Sequence, residues 1–335
     1  MVRRSLIVAV LLAVSSPLAA QEEWVWTSDR PDGAAPLGVI GDRLLEQGEI
    51  QLNYRLVSQN SRGVWFITDS LPLATTLQLY SAAPLTLTSL IHRGSAAFGV
   101  ADDLTLMVGG EFSIRERDQL TSAGVFYTTT VKDFGDVTAD LLYDVLRSGP
   151  YRAHIRVGAV VPVGITGARV TTPFAASDAL PYDQRPGGGA FAATGGMTAQ
   201  VQNEFGSVGG QFNLRVNVAT RTDYTLGDWY QGTGWAAYKV NDAFSVSMRL
   251  DYQSWGHVEG ADPGVDATQD PGMDGLFLAG QRLDMPIGVN FTFPEGSRFA
   301  GHRIALEAIY PLHHDYEGPQ LGLDWGIVVG AQLSF

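Results

Sequence analysis

The chain has 335 residues, a formal net charge of −13, no cysteine, 39 glycines and 10% aromatic residues. The absence of cysteine excludes disulfides, a lipid-anchored N-terminus and thiolate metal sites. The acidic balance excludes nucleic acid as a partner, because phosphate binding needs clustered Lys and Arg. No stretch approaches 18 consecutive apolar residues, so a transmembrane helix is excluded as well.

The N-terminus reads as a cleaved secretory signal over residues 1–20. Arg3 and Arg4 form the charged region, residues 6–14 the apolar core, and Leu18-Ala19-Ala20 the small-residue cleavage site. Its removal leaves −13 − 2 = −15 on the mature chain. Residues 21–48 follow as a periplasmic N-terminal segment. They are turn-rich, with Arg30, Pro31, Asp32, Gly33, Pro36, Gly38, Gly41 and Asp42, and too irregular for a membrane strand. Two readings stay open for them: a disordered tail, or a plug tucked into a lumen or capping its periplasmic mouth.

Residues 49–335 alternate at period two, which predicts twelve strands of an all-β, transmembrane antiparallel barrel. The first, residues 49–58, sets Ile50, Leu52, Tyr54 and Leu56 against Gln51, Asn53 and Arg55. The second falls within residues 85–100, its apolar parity shifting near Thr88 as at a bulge. The third, residues 104–115, turns Thr105, Met107, Glu111 and Arg115 inward. Two more flank the turn 147–150, with Leu141 and Tyr143 outward before it and Ile155 and Val157 after it. Pairs follow at 191–201 and 208–218, and at 229–240 and 244–252. Residues 283–293 and 304–310 are the tenth and eleventh. The last, residues 325–335, carries Trp325, Ile327, Val329, Ala331, Leu333 and terminal Phe335 on one face, as the closing strand of an outer-membrane barrel does.

Short connections near 101–103, 147–150, 203–206, 241–243 and 294–301 alternate with mostly long ones near 59–84, 116–135, 164–189, 253–281 and 312–320. Short turns belong to the periplasm and long loops to the outside. Residues 64–67 and 77–80, read as one more hairpin, raise the count to fourteen. A soluble all-β sandwich has the same alternation, but neither the terminal phenylalanine nor the alternating loop lengths.

If apolar faces meet lipid, the opposite faces line a lumen with Glu49, Arg55, Glu111, Arg115, Asp140, Asp144, Arg152, His154, Arg156, Arg215, Arg249, Asp251, Asp284, Arg303 and Glu307. Cross-strand ion pairs filling a narrow barrel and a charge-mixed, solute-selecting channel are both compatible with that set. Asp262, Asp266, Asp270 and Asp274 recur at four-residue spacing without an EF-hand pattern, so a solvated acidic loop is preferred to a calcium site. His313-His314-Asp315 raises a surface metal site on weak evidence. No Gly-x-Ser-x-Gly occurs, and Ser254 near His257 is the best hydrolase pair available. The reading is a non-enzyme without cofactor or metal.

The residues also carry a family resemblance. It rests on Arg30-Pro31-Asp32-Gly33, Ala35-Pro36, Gly41-Asp42, Tyr54-Arg55, Asp103-Leu104-Thr105, Gly135-Asp136-Val137 and Leu180-Pro181-Tyr182. It continues through Trp255-Gly256, Gly260-Ala261-Asp262-Pro263, Arg282-Leu283-Asp284, Gly301-His302-Arg303 and Gly318-Pro319-Gln320. In these the chain resembles the bacterial outer-membrane family of the meta-pathway of phenol degradation, whose members are called transporters. The resemblance implies a membrane barrel that passes small solutes. Where many members carry histidines around the first motif, this chain has Ala34, Arg43 and Leu44, which argues against a metal-linked role. The expectation is an outer-membrane channel for small solutes, aromatic or hydrophobic ones among them. A closed structural or surface-interaction barrel is the alternative, and a lipid hydrolase a distant third. Expected partners are outer-membrane lipid and lipopolysaccharide, a small-molecule solute, and the barrel-assembly machinery through the last strand.

Overall fold

The computed structural model describes residues 24–294 and 296–335, so the expected signal sequence lies outside the described residues. One antiparallel sheet closes on itself. Its strands are β1 (Ile50–Ile67), β2 (Ala82–Ala101), β3 (Leu104–Thr121), β4 (Phe126–Ser148), β5 (Tyr151–Val161), β6 (Ala190–Gln202), β7 (Gly206–Thr220), β8 (Trp229–Lys239), β9 (Phe244–Trp255) and β10 (Gly280–Thr292), neighbours in space as in sequence. The last long stretch of strand, Arg303–Ser334, is one continuous run. Its first part pairs antiparallel with β10, Arg303 opposite Thr292, and its last part with β1, Ser334 opposite Gln51. The run must therefore double back about Glu317 and Gly318. Ile309 abuts Gly326, and Arg303 Nη1 reaches Gln332 Oε1 at 3.5 Å. Its two arms, β11 (residues 303–316) and β12 (residues 320–334), bring the barrel to twelve strands. Ile50 and Phe335 exchange backbone hydrogen bonds of 3.0 and 2.9 Å where it closes. Closure satisfies each strand's backbone in lipid and leaves no edge.

The outer face is apolar because alternate residues point there. Ile287, Val289, Leu306 and Val329 are exposed, while their neighbours Asn290, Glu307 and Val328 are buried. Aromatic side chains ring both ends of this band: Phe98, Tyr143, Tyr151, Tyr238, Phe244 and Phe335 below, and Tyr230, Tyr252, Tyr310 and Trp325 above. On β9 the two rows, Phe244 and Tyr252, are eight residues apart. At about 3.3 Å per residue and a tilt near 40° that spans roughly 20 Å, close to the apolar band of an outer-membrane barrel.

Three expected loops are shorter than the sequence pattern suggests. Residues 116–135 are mostly strand, with β3 and β4 joined by a turn at 122–125. Residues 312–320 continue β11 into β12. Residues 59–84 hold the end of β1, a short strand Asp69–Leu71 and a helix α1 (Leu73–Leu79), so no extra hairpin reaches a fourteenth strand. Polar residues such as Thr128, Thr130 and Lys132 hid these stretches, because a strand standing above the membrane has no apolar face to show. No bulge occurs at Thr88 either. Leu87 and Ile91 point inward and are buried, and His92 points outward; the apolar parity changes because the interior itself is apolar there.

Candidate functional site in the barrel interior

A barrel of eight strands is filled by its own side chains, and one of sixteen holds a water channel. Twelve strands leave room for about one extended segment, and residues 24–48 take that room. A chain with two prolines and four glycines in this stretch forms turns, Gly33 N–H donating to Arg30 O at 2.9 Å and Val39 N–H to Pro36 O at 3.0 Å. Its remaining backbone groups need partners from the wall, and inward side chains supply them.

Ser245 Oγ donates to Pro31 O at 2.9 Å and Ser207 Oγ to Asp32 O at 2.6 Å. Arg303 Nη2 donates to Ala35 O at 2.6 Å, and Gly38 N–H donates to Glu307 Oε2 at 2.9 Å. Arg55 Nη2 donates to Val39 O at 3.0 Å, while Gln211 both accepts from Ile40 N–H at 3.0 Å and donates to Ile40 O at 2.7 Å. His154 Nε2 lies 2.8 Å from Gly41 O, and Gln200 Nε2 donates to Asp42 O at 2.9 Å. Leu45 N–H donates to Thr105 Oγ1 at 2.9 Å.

Apolar contacts complete the seat. Leu37 packs with inward Val57, Ile91, Ala305 and Val328, and Ala35 and Val39 pack on Trp235. Two glycines are required by space. Gly38 lies so close to the Arg249 guanidinium that a Cβ would overlap it. Gly41 has φ +55 and faces the inward, buried Leu142, and a left-handed residue with no Cβ suits both conditions.

The expected inward residues divide by level. Arg249 grips Glu307 (Nε–Oε1 3.0 Å) and Asp251 (3.3 Å). Arg156 Nη1 meets Asp140 Oδ1 at 2.6 Å and its Nη2 meets Asn213 at 2.9 Å, with Thr194 Oγ1 also donating to Asp140 at 2.6 Å. These groups are buried, as are His154 and Arg303. Asp284 pairs with Arg282 at 2.9 Å. Glu111 takes Arg93 at 3.0 Å and Arg115 at 3.8 Å. Asp144, Arg152 and Glu49 sit lower, at the periplasmic rim. Asp144 pairs with Arg147, Arg152 donates to Gly149 O, and Glu49 pairs with Arg43. Of the N-terminal residues, Arg30 and Asp32 pair with each other at 2.9 Å and Pro31, Asp32, Gly33, Pro36 and Asp42 are buried.

The extracellular end carries a layer that period-two patterning could not reveal. Residues 162–189 and 256–279 fold inward over the mouth. Buried Arg117, two residues beyond the expected end of β3, donates to Asp183 (2.5 and 2.6 Å) and to Asp270 (2.6 Å), and Gln119 Nε2 donates to Asp270 Oδ2 at 2.8 Å. Arg185 lies over the rings of Tyr182 (4.8 Å) and Tyr224 (4.9 Å) and reaches Asp262 at 2.8 Å. Gln269 Nε2 donates to Asp178 Oδ2 at 2.7 Å, joining the two loops again. Burial pushes the Asp262 carboxyl up, but the Gly264 N–H and the Arg185 guanidinium outweigh it and hold it below the ordinary range.

The four spaced aspartates thus have separate partners: Asp266 bonds Thr268, Asp274 bonds Leu276 N–H, and the other two hold arginines. His313 and His314 lie on opposite faces of a strand, His314 packing on Trp65 at 4.9 Å, so they cannot chelate together. His257 faces Glu317 at 3.1 Å rather than Ser254. Among the described residues no group of three potential metal ligands converges.

Fold and interior together define an outer-membrane-type β-barrel. The COG4313 outer membrane channel from Pseudomonas putida F1 superposes on it with a TM-score of 0.58 at 14% identity, covering 89% of this chain and 99% of that one. The toluene transporter TbuX of Ralstonia pickettii (TM-score 0.42, 11% identity, 87% and 90% covered) and a FadL homologue of Pseudomonas aeruginosa (0.37, 12%, 86% and 89%) are more distant. No protein-family profile and no curated protein sequence matches the chain.

Proposed function

We propose that this chain is an outer-membrane channel for small solutes whose path is closed by its own N-terminal segment. The carrying observation is the seat of residues 24–48, held without a covalent link by polar side chains of most strands and by two small apolar clusters. Polar contacts of this kind exchange readily with water, at about 0.5–1.5 kcal/mol net per hydrogen bond. The first twenty residues act as the export signal, and the last strand presents Phe335 to the barrel-assembly machinery. Outer-membrane lipid and lipopolysaccharide surround the apolar band. The family resemblance and the likeness to a solved channel support transport over catalysis. A solute from the phenol meta-pathway class is the substrate the resemblance suggests.

Deleting residues 24–42 is expected to leave a folded barrel and to raise conductance in planar bilayers. A folded, inserted deletion variant that conducts no better than the intact chain overturns the plug. One observation favours a second reading, a permanently closed structural barrel: the loops clasped by Arg117 shut the opposite mouth. If neither form conducts nor admits any small solute, that reading replaces the channel.

A further inference from the structure

We infer a binding site for small oxyanions in the middle of the interior, where Arg55 stands opposite Arg93 in the strand register and Arg93 and Arg115 share the carboxylate of Glu111, with Arg215 near by. This inference rests on the channel reading and names the class of solute the channel prefers. The strand register sets Arg55 opposite Arg93 and Arg93 opposite Glu111. Arg93 Nε lies 3.0 Å and Arg115 Nη2 3.8 Å from that carboxylate. Arg215 lies within electrostatic reach of Glu111, and Arg55 of Arg93.

The other acids nearby have partners of their own: Asp183 takes Arg117, and Asp228 accepts from Asn217 N–H at 2.8 Å. Asp136 accepts from Gly164 N–H at 3.0 Å and Gly188 N–H at 2.9 Å. Glu307 is held by Arg249, and Asp42 lies 3.6 Å from Arg303. Among the described residues Arg55 has only the carbonyl of Val39 as a hydrogen-bond partner, and the Nε atoms of Arg115 and Arg215 are buried without any. Arg93 points inward, yet its side chain is 54% exposed, so the cluster opens onto free space.

Arg55, Arg93, Arg115, Arg215 and Arg303 outnumber the carboxylates they share, Glu111, Asp42, Asp136 and Asp228, and so leave positive charge in excess inside a low-dielectric wall. Unpaired buried charge is costly until a counter-ion arrives. The guanidinium fork matches the oxygens of a carboxylate or a phosphate, either of which would fill the vacant donors.

The test uses planar bilayers and calorimetry in parallel. The variant lacking residues 24–42 is expected to pass chloride several-fold better than potassium. Arg93→Gln with Arg215→Gln should bring that ratio toward parity, while Arg93→Lys with Arg215→Lys should keep it. A conducting variant without anion preference, or one whose preference survives the glutamine changes, overturns the oxyanion site and leaves the channel standing. If nothing conducts, the channel reading falls. Titration of the intact, detergent-solubilised protein with sodium benzoate and with sodium phosphate then decides the site alone. Binding that weakens at least tenfold in the folded glutamine variant supports it, and the salt that binds identifies carboxylate or phosphate. No heat with either salt overturns it.

Discussion

Two residues set the strength of the interior at the residue scale. Gly38 has no room for a Cβ beside Arg249, whose guanidinium is locked by Glu307 and Asp251. Gly38→Val should therefore expel the N-terminal segment without opening the wall, which limited proteolysis near residue 30 and raised bilayer conductance would register. Arg117→Ala leaves Asp270 buried without its ion partner, and breaking such a pair costs about 3–5 kcal/mol. Urea unfolding should show that loss, whereas the exposed Arg147→Ala should barely shift the midpoint. Residues of the first kind were legible in the sequence: Arg249, Glu307 and Arg303 follow from parity, because a strand's two faces alternate without exception between bulges. Arg93 was not, since Leu87 and Ile91 broke the apolar count on its own strand. The partner that Ile91 meets inside, Leu37, is distant in sequence.

Among the elements, the membrane-spanning parts of the strands were read correctly, while their polar extracellular extensions and the loops were not. Helical or sheet periodicity marks a segment with two environments, and residues 162–189 and 256–279 have no period because irregular backbone buries them against one another. Their pairings, Arg185 with Asp262 and Arg117 with Asp270, come from side chains that no local rule aligns. The depressed Asp262 carboxyl ties this layer to pH. A group whose folded pKa lies below its unfolded one stabilises the fold above the unfolded value and loses that contribution as pH falls through the folded one. The loop layer should therefore loosen on strong acidification, below the usual carboxylate range, and Asp262→Asn should flatten that part of the profile. Burial raises the Asp270 carboxyl, which pulls the other way, so the decisive readout is the difference between wild type and Asp262→Asn in hydrogen exchange of residues 256–279. An unchanged profile in the variant removes Asp262 from the account.

For the whole molecule, the lipid face governs stability. Ile287→Arg or Val329→Arg puts a cation into hydrocarbon near the middle of the band and should cost roughly 2–4 kcal/mol, while the same change at Phe335, on the rim, should cost about 0–1 kcal/mol. Folding in vesicles against urea measures both, and equal losses would contradict the face assignment. The twelve-strand count was legible because every strand within the membrane obeys one rule, apolar outward. The occupied interior was not, because composition cannot tell an irregular segment inside a barrel from one outside it.

The seat of residues 24–48 has a consequence for time rather than strength. Gly38 is made near the start of synthesis, yet the carboxylate that accepts its N–H, Glu307, lies 269 residues later, and Arg303 later strengthens the same seat. The segment cannot find its partners until the last hairpin is in place and the first strand has met the last. It is therefore the final piece to settle, arriving through the periplasmic opening beside Ile50. A piece that enters last by an open door can leave by it again, with every strand still joined to its neighbours.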